Sequence, residues 1–187
     1  MEKLIVVDKQ DKILGYESWE KCHSLKGILH RAFSIFVFNK KGEILLQKRS
    51  KYKKLWPLYW SNTCCSHPRE NEDIVKVGER RLKEEFGFTT KLGVLYKFCY
   101  RAVYKKIGSE NELCYVLIGK YDGKVKPDKK EIADYKWVSL NYLKKDLSQN
   151  PDDYTPWFKK EMMELLSKDA EKMRGICGDY FPKRLWR

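Results

Sequence analysis

Two short stretches of the chain concentrate groups that do chemistry. Ser61-Asn62-Thr63-Cys64-Cys65-Ser66-His67-Pro68 places a thiol two residues before an imidazole, and Glu110-Asn111-Glu112-Leu113-Cys114 places two carboxylates at i and i+2. On an extended strand, side chains at i and i+2 project from one face, so Glu110 and Glu112 can converge on one cation or one substrate. A thiol, an imidazole and paired carboxylates point to metal-assisted proton chemistry. The chain holds three histidines, His23, His30 and His67. With Glu110 and Glu112 they would make a nitrogen and oxygen ligand set suited to zinc, manganese or magnesium, with oxygen-rich sets favouring the harder ions.

The elements that must position these groups can be read from the apolar pattern. Leu4 to Val7 and Ile13 to Tyr16 read as an opening hairpin around Asp8-Lys9-Gln10-Asp11-Lys12. Ala32 to Phe38 is a strand, Asn39 to Glu43 a turn, and Ile44 to Lys48 the returning strand. Tyr59 to Cys65 is a third strand. Between Glu72 and Phe86, Ile74, Val77, Leu82 and Phe86 recur at helical spacing, and Gly87 supplies the stop. Leu95 to Val103 and Leu113 to Gly119 are strands joined by a loop, Lys105 to Asn111. Tyr135 to Val138 is a short strand, and Ser139 can cap a short helix. Thr155-Pro156 is a helix start, followed by an apolar face of Phe158, Met162, Leu165, Leu166 and Met173 and ended by Gly175. The last twelve residues, with Pro182 and Lys183-Arg184, carry no assignable pattern. This order predicts α+β or mixed α/β architecture in a single domain over 1–187.

Bulk properties narrow the classes. A chain of 187 residues with 42% hydrophobic content suits one domain with a proper core. No apolar run approaches a membrane span, and the short apolar block after Met1 is broken by acidic residues, unlike a secretory signal. Cysteines at 22, 64, 65, 99, 114 and 177 form no C-x-x-C pair, which favours a reducing cytoplasm. The formal charge of +13 attracts polyanions or phosphorylated small molecules, but it is scattered, with no block of five or six like charges.

Leu29-His30-Arg31-Ala32-Phe33-Ser34, Trp60 to Pro68 and Glu110 to Cys114 together resemble, in the same order, the motifs of the type 1 isopentenyl-diphosphate isomerases. The match runs from about His23 to Trp157. The resemblance implies a Nudix-like α/β/α sandwich with a mixed sheet. It also implies interconversion of isopentenyl and dimethylallyl diphosphate. By it, Cys65 matches the catalytic thiol, Glu112 the catalytic carboxylate and Tyr100 its helper hydroxyl. His23, His30, His67, Glu110 and Glu112 match the ligands of one divalent ion, Mn2+, Zn2+ or Mg2+. Glu85, with the Cys65 main-chain carbonyl, matches the holder of a Mg2+ ion on the diphosphate. Arg49, Lys53 and Arg81 match diphosphate-binding cations, and Trp157 an aromatic over the hydrocarbon. One position departs: the family carries a diphosphate-binding lysine shortly before its first histidine ligand. In Trp19-Glu20-Lys21-Cys22-His23 the register is off, leaving Lys21 and Lys26 as alternatives.

The residue types fit the reaction. Moving the double bond requires a proton added at one carbon and another removed elsewhere, so an acid and a base must face one substrate. A cation beside Glu112 would make that carboxyl more acidic. An indole face can stabilise a tertiary carbocation by roughly 0.5 to 2 kcal/mol. A free thiol titrates near about 8.5, so either neighbours lower Cys65 or it works as a thiol. The nearest alternative is a Nudix hydrolase of a nucleoside diphosphate derivative. In that family's box, Glu72, Arg80, Leu82, Glu84, Glu85, Gly87 and Phe88 fit, while Ser66 replaces the first Gly and Arg81 a Glu. A nucleic-acid-binding module, raised by the charge and 14% aromatic content, lacks a motif, and its acidic pairs would oppose a phosphate backbone. The expected partner is therefore the small diphosphate, with no nucleic acid and no membrane span.

Overall fold

The computed structural model describes residues 3–167. Met173, Gly175, Cys177 and the final twelve residues lie outside that range. The hairpin forms from β1 (Lys3–Val7) and β2 (Ile13–Ser18), and the Asp8 side chain accepts from the Gln10 and Lys12 N–H groups to close its turn. Ser18 then caps α1 (Trp19–Cys22), its hydroxyl accepting from the Lys21 N–H at 3.4 Å. The sequence pattern gives no sign of α1, because a single turn is too short for an apolar period to register.

The sheet is organised on β3 (His30–Phe38), which starts two residues earlier than its apolar run. It pairs antiparallel with β4 (Ile44–Arg49) through Phe38↔Ile44, and with a later strand, β6 (Cys64–Ser66), through Ser34↔Cys65. The expected strand from Tyr59 to Cys65 is in fact two pieces, β5 (Trp60–Ser61) on β4 and β6 on β3. Asn62 and Thr63 break it with side-chain hydrogen bonds that replace a ladder. Asn62 Nδ2 donates to the Ile35 and Cys64 carbonyls. Thr63 Oγ1 accepts from the Val37 N–H and donates to the Leu45 carbonyl.

After α2 (Ile74–Phe86) come β7 (Leu92–Tyr104) and β8 (Gly108–Lys120), a long antiparallel hairpin. β8 lies parallel to β3 from His30↔Glu112 to Phe38↔Lys120. This corrects the loop expected over Lys105 to Asn111. Only residues 105–107 turn, and Ser109, Glu110 and Asn111 belong to the strand. Their polarity imitates a loop, but Ser109 Oγ donates to the Ser24 carbonyl at 2.7 Å and Asn111 Nδ2 to the Gly27 carbonyl at 3.2 Å. Satisfied polar groups can be buried at little cost. β9 (Ile132–Val138) pairs with β4 and begins three residues before the expected Tyr135.

Both faces of β3 are covered, which explains its nearly continuous apolar run. On one face, α2 packs Val77, Leu82 and Phe86 against Phe33, Ile35, Leu45 and Cys64. Asp73, one residue inside the expected start at Glu72, caps its N-terminus, and Gly87, at φ +73°, ends it as the sequence signal indicates. On the other face lie α3 (Leu140–Gln149), capped by Ser139, and α4 (Pro156–Ser167). They bring Leu143, Phe158, Met162 and Leu165 onto Phe36, Phe38, Leu46 and Val116. The result is an α/β/α sandwich with a mixed sheet. Among the described residues no helix is long and apolar enough to cross a membrane.

Candidate active site

The start of β3, the early part of β8, the segment after β6 and the end of α1 meet at one point, Glu110 and Glu112 being the third and fifth residues of β8. There His23, His30, His67, Glu110 and Glu112 each offer a ligand atom, all within 4.8 Å of one another. The main chain presets the ring orientations. His23 Nδ1 lies 2.9 Å from the Trp19 carbonyl and His30 Nδ1 2.7 Å from the Ile28 carbonyl. A carbonyl only accepts, so each Nδ1 carries the proton and each Nε2 presents a lone pair. These point inward: His30 Nε2 is 3.2 Å from His67 Nε2, and His23 Nε2 is 2.9 Å from Glu110 Oε2. Glu110 Oε2 is buried and has no hydrogen-bond partner. Inward lone pairs beside an orphaned carboxylate oxygen are what a divalent cation would satisfy, with the backbone carbonyls as its outer shell. The donor set thus fits the metal that its residue types suggested.

The electrostatics without an ion make the same point. Burial, reinforced by neighbouring His67, pushes His30 down to about 4. Burial and then the adjacent Glu110 charge push Glu112 up to about 7. Burial alone would raise Glu110 too, but contact with His23 and the other two rings holds it down at about 2. A divalent charge at the centre would favour both carboxylates as anions. The Tyr100 hydroxyl, itself raised by burial and by Glu112, donates to Glu112 Oε2 at 2.6 Å.

Cys65 and Cys64 point to opposite sides of β6, as alternation requires. Cys64 is fully buried in the core beneath α2, whereas Cys65 lines a cavity of about 150 Å³ shared with His67, Tyr100, Glu110, Glu112 and Trp157. The Cys65 thiol donates to Asn62 Oδ1 at 2.9 Å, and Ser34 Oγ is 3.5 Å away. Burial, with the nearby Glu161 charge, pushes it up to about 12. Of the two options left open by the sequence, the environment therefore favours the thiol. Asn62 reads in the sequence as a strand residue, yet its Oδ1 also accepts from Trp157 Nε1 at 3.3 Å and so ties the thiol and the indole to one anchor.

Arg49, Lys53 and Arg81 all reach the cavity wall. Arg49 spends two donors on the Leu55 and Trp56 carbonyls and lies 5.1 Å over the Trp157 ring, so it also holds the lip that carries Lys53. Lys53 pairs with Glu131, and Arg81 Nη2 lies 2.5 Å from Glu85. Glu85 is buried behind Arg81 and does not itself line the cavity. Lys21 pairs outward with Glu17, and Lys26 is exposed outside the cavity; Lys54 lines it, next to Trp19. Neither Lys54 nor Trp19, whose ring stacks on His23 at 4.1 Å, carries a spacing signal in the sequence.

The backbone that presents His23 is pinned to β8. The Ser109 N–H donates to the His23 carbonyl at 3.1 Å, and a Cβ on Gly108 would stand 2.5 Å from that oxygen. Gly108→Ala is therefore expected to lower stability by about 1 to 3 kcal/mol and to weaken metal retention, read by thermal melting and elemental analysis. Unchanged melting would show that the His23 segment yields freely.

Residues 28–158 match the NUDIX domain family. A Photorhabdus laumondii protein named isopentenyl-diphosphate Delta-isomerase 2 is 42% identical over 175 residues, covering 94% of this chain and 98% of that protein. An isopentenyl-diphosphate Delta-isomerase from Halorhodospira halophila is 41% identical, with 88% of this chain and 95% of that one covered. Among solved structures, the Deinococcus radiodurans protein DR0079 superposes with a TM-score of 0.62 at 16% identity, over 80% of this chain and 90% of that chain, a likeness of fold alone. With the thiol, the imidazoles and the paired carboxylates gathered on one cavity of this sandwich, these matches establish that the chain belongs to the isopentenyl-diphosphate Delta-isomerase family of the Nudix superfamily.

Proposed function

We propose that the chain converts isopentenyl diphosphate to dimethylallyl diphosphate by paired proton transfers through a tertiary carbocation. The observation that carries this reading is the arrangement of Cys65 and the Tyr100–Glu112 pair on the wall of one cavity. They supply an acid and a base to one small substrate. In the resting site Cys65 is a thiol, so it gives the proton in one direction, and Glu112, with Tyr100 fixing its carboxylate, takes the other. The reverse direction exchanges these roles. Lys53 and Arg81, with Lys54 beside them, hold the diphosphate at the mouth. Five described cysteines are free thiols, which fits a reducing cytoplasm.

His23, His30, His67, Glu110 and Glu112 would hold a divalent ion, with Zn2+ or Mn2+ suited to the three imidazoles and Mg2+ the harder alternative. Bound there, it would neutralise the carboxylate pair and tune the acidity of Glu112. Glu85 and the Cys65 carbonyl are assigned to a Mg2+ ion that accompanies the diphosphate. Hydrolysis fits less well. Arg81 stands within the box helix and binds Glu84 at 2.6 Å and Glu85 at 2.5 Å, so those carboxylates are paired with arginine rather than gathered to activate water.

Isopentenyl diphosphate incubated with metal-loaded protein in D2O is expected to give the dimethylallyl isomer carrying deuterium, read by proton NMR. Absence of isomer, or release of inorganic phosphate instead, would overturn the reading. Trp157 is both 2% exposed and on the cavity wall, so packing and catalysis overlap there. Trp157→Phe keeps an aromatic face but weakens its quadrupole. It is expected to lower kcat by roughly 2- to 30-fold with little change in KM. A large fall in melting temperature with kcat intact would make Trp157 a packing residue only.

A further inference from the structure

Among the described residues four cations line the cavity: Arg49, Lys53, Lys54 and Arg81. Three of them are already engaged. Arg49 is buried and spends two donors on the Leu55 and Trp56 carbonyls. Lys53 pairs with Glu131, and Arg81 with Glu84, Glu85 and, at 3.6 Å, Glu131. Lys53 and Arg81 thus set two positive charges against three carboxyl groups, so by themselves they leave no excess charge for an anion. Lys54 differs. Its side chain is 64% exposed, and its contact with Glu20 is 3.7 Å long between two exposed groups, a pairing that contributes little. What holds its ammonium is the Trp19 ring, whose centroid is 4.6 Å away.

The seat is fixed and the ammonium is loose. The Trp19 ring stacks on His23 with centroids 4.1 Å apart, and its carbonyl accepts the His23 N–H at 2.9 Å. Lys54 is followed by Leu55 and Trp56, both buried, whose carbonyls are held by Arg49. Its main chain is therefore anchored, while its flexible stem can swing. We propose that Lys54, seated on Trp19, is the cation that sets the affinity for the substrate's diphosphate. The inference rests on the diphosphate-isomerase reading above and names the residue that dominates its binding. In the empty site the ammonium rests on the indole. With substrate it leaves Glu20 and the ring for a phosphate oxygen, exchanging a weak exposed contact for a charge-assisted hydrogen bond. Lys53 and Arg81 can only share ion pairs they already have. Trp19 acts through Lys54 as a positioning residue: it keeps the ammonium beside the mouth and reduces the freedom the side chain must lose on binding. Lys21, which pairs outward with Glu17, and Lys26, outside the cavity, then have no part in holding the anion.

The test is a mutant cycle on the metal-loaded full chain. Lys54→Met keeps most of the stem and removes the charge. It is expected to raise KM at least about tenfold, with kcat within about twofold and an unchanged melting temperature. The Kd of inorganic diphosphate with Mg2+, read by calorimetry, should rise by the same factor. Lys54→Arg should bring both constants back to within about threefold of wild type. Trp19→Leu removes the seat and should raise KM severalfold, yet add nothing to Lys54→Met in the double variant. Elemental analysis checks that metal is retained; if Trp19→Leu loses it, Trp19→Phe, which keeps a ring against His23, takes its place in the cycle. An unchanged KM in Lys54→Met, a loss confined to kcat, effects that multiply in the double variant, or a larger rise in KM from Lys21→Ala would overturn the assignment. A wild type that forms no isomer, yet binds inorganic diphosphate about tenfold more tightly than Lys54→Met, would sink the isomerase reading and leave Lys54 in place.

Discussion

Cys65→Ala is expected to lower kcat by about 10²- to 10⁴-fold, the range of a lost acid or base, while Cys64→Ala keeps most of the activity. The two neighbours differ by one position on β6 and by which side of the sheet they face. Removing Cys65 Sγ takes the proposed proton-handling atom from the cavity and leaves Asn62 Oδ1 with its remaining donors, Ser61 and Trp157. Substrate binding should persist, because the cations at the mouth are untouched. Removing Cys64 Sγ opens a small hole under α2 and should cost about 1 to 2 kcal/mol of stability. Steady-state rates and thermal melts on the two variants separate the cases. The opposite pattern, with Cys64→Ala inactive and Cys65→Ala active, would reverse the strand register assigned to the site.

His30→Ala is expected to abolish stoichiometric metal and to reduce kcat by at least about 10²-fold. His30 is completely buried, and it touches His67, Glu112 and the Ile28 carbonyl. Its loss leaves two carboxylates facing each other with fewer imidazoles between them. Because an ion held by this set would bind the folded chain and not the unfolded one, wild-type stability should fall on chelation, by about 2.7 kcal/mol if the free ion had stood at one hundred times its dissociation constant. The melting temperature of His30→Ala should not respond to chelator. Full metal content in this variant by elemental analysis would remove His30 from the ligand set.

The chemistry was more legible in the sequence than the scaffold around it. Cys65, His67, Glu110 and Glu112 stand in short motifs whose spacing implies a shared face on a strand, and the structure places them on one cavity. Gly87 and Ser139 mark helix ends through backbone freedom and local hydrogen bonding, and such signals need no tertiary partner. Where the reading failed, distant contacts decide. Ser109 to Asn111 imitate a loop, and only the carbonyls of Ser24 and Gly27, some eighty residues earlier, make a strand of them. Asn62 looks like a strand residue until Trp157, from the other end of the chain, is seen bonded to it. Glu161 sits in an amphipathic helix pattern like any solvated carboxylate, and nothing local shows that it faces inward.

The parallel pairing of β3 with β8 has a consequence for the order in which the protein becomes an enzyme. Its first rung is His30↔Glu112, so two of the gathered ligands meet only when segments eighty-odd residues apart have closed in register. Such high-contact-order pairing forms slowly and late. The local hairpins can assemble before it, but none of them contains a complete ligand set. A slip of one residue between β3 and β8 would turn Glu110 and Glu112 away together. Competence to capture an ion would thus act as a proofreading mark of finished folding: a kinetically trapped chain with native-like helices and hairpins would stay blank to metal.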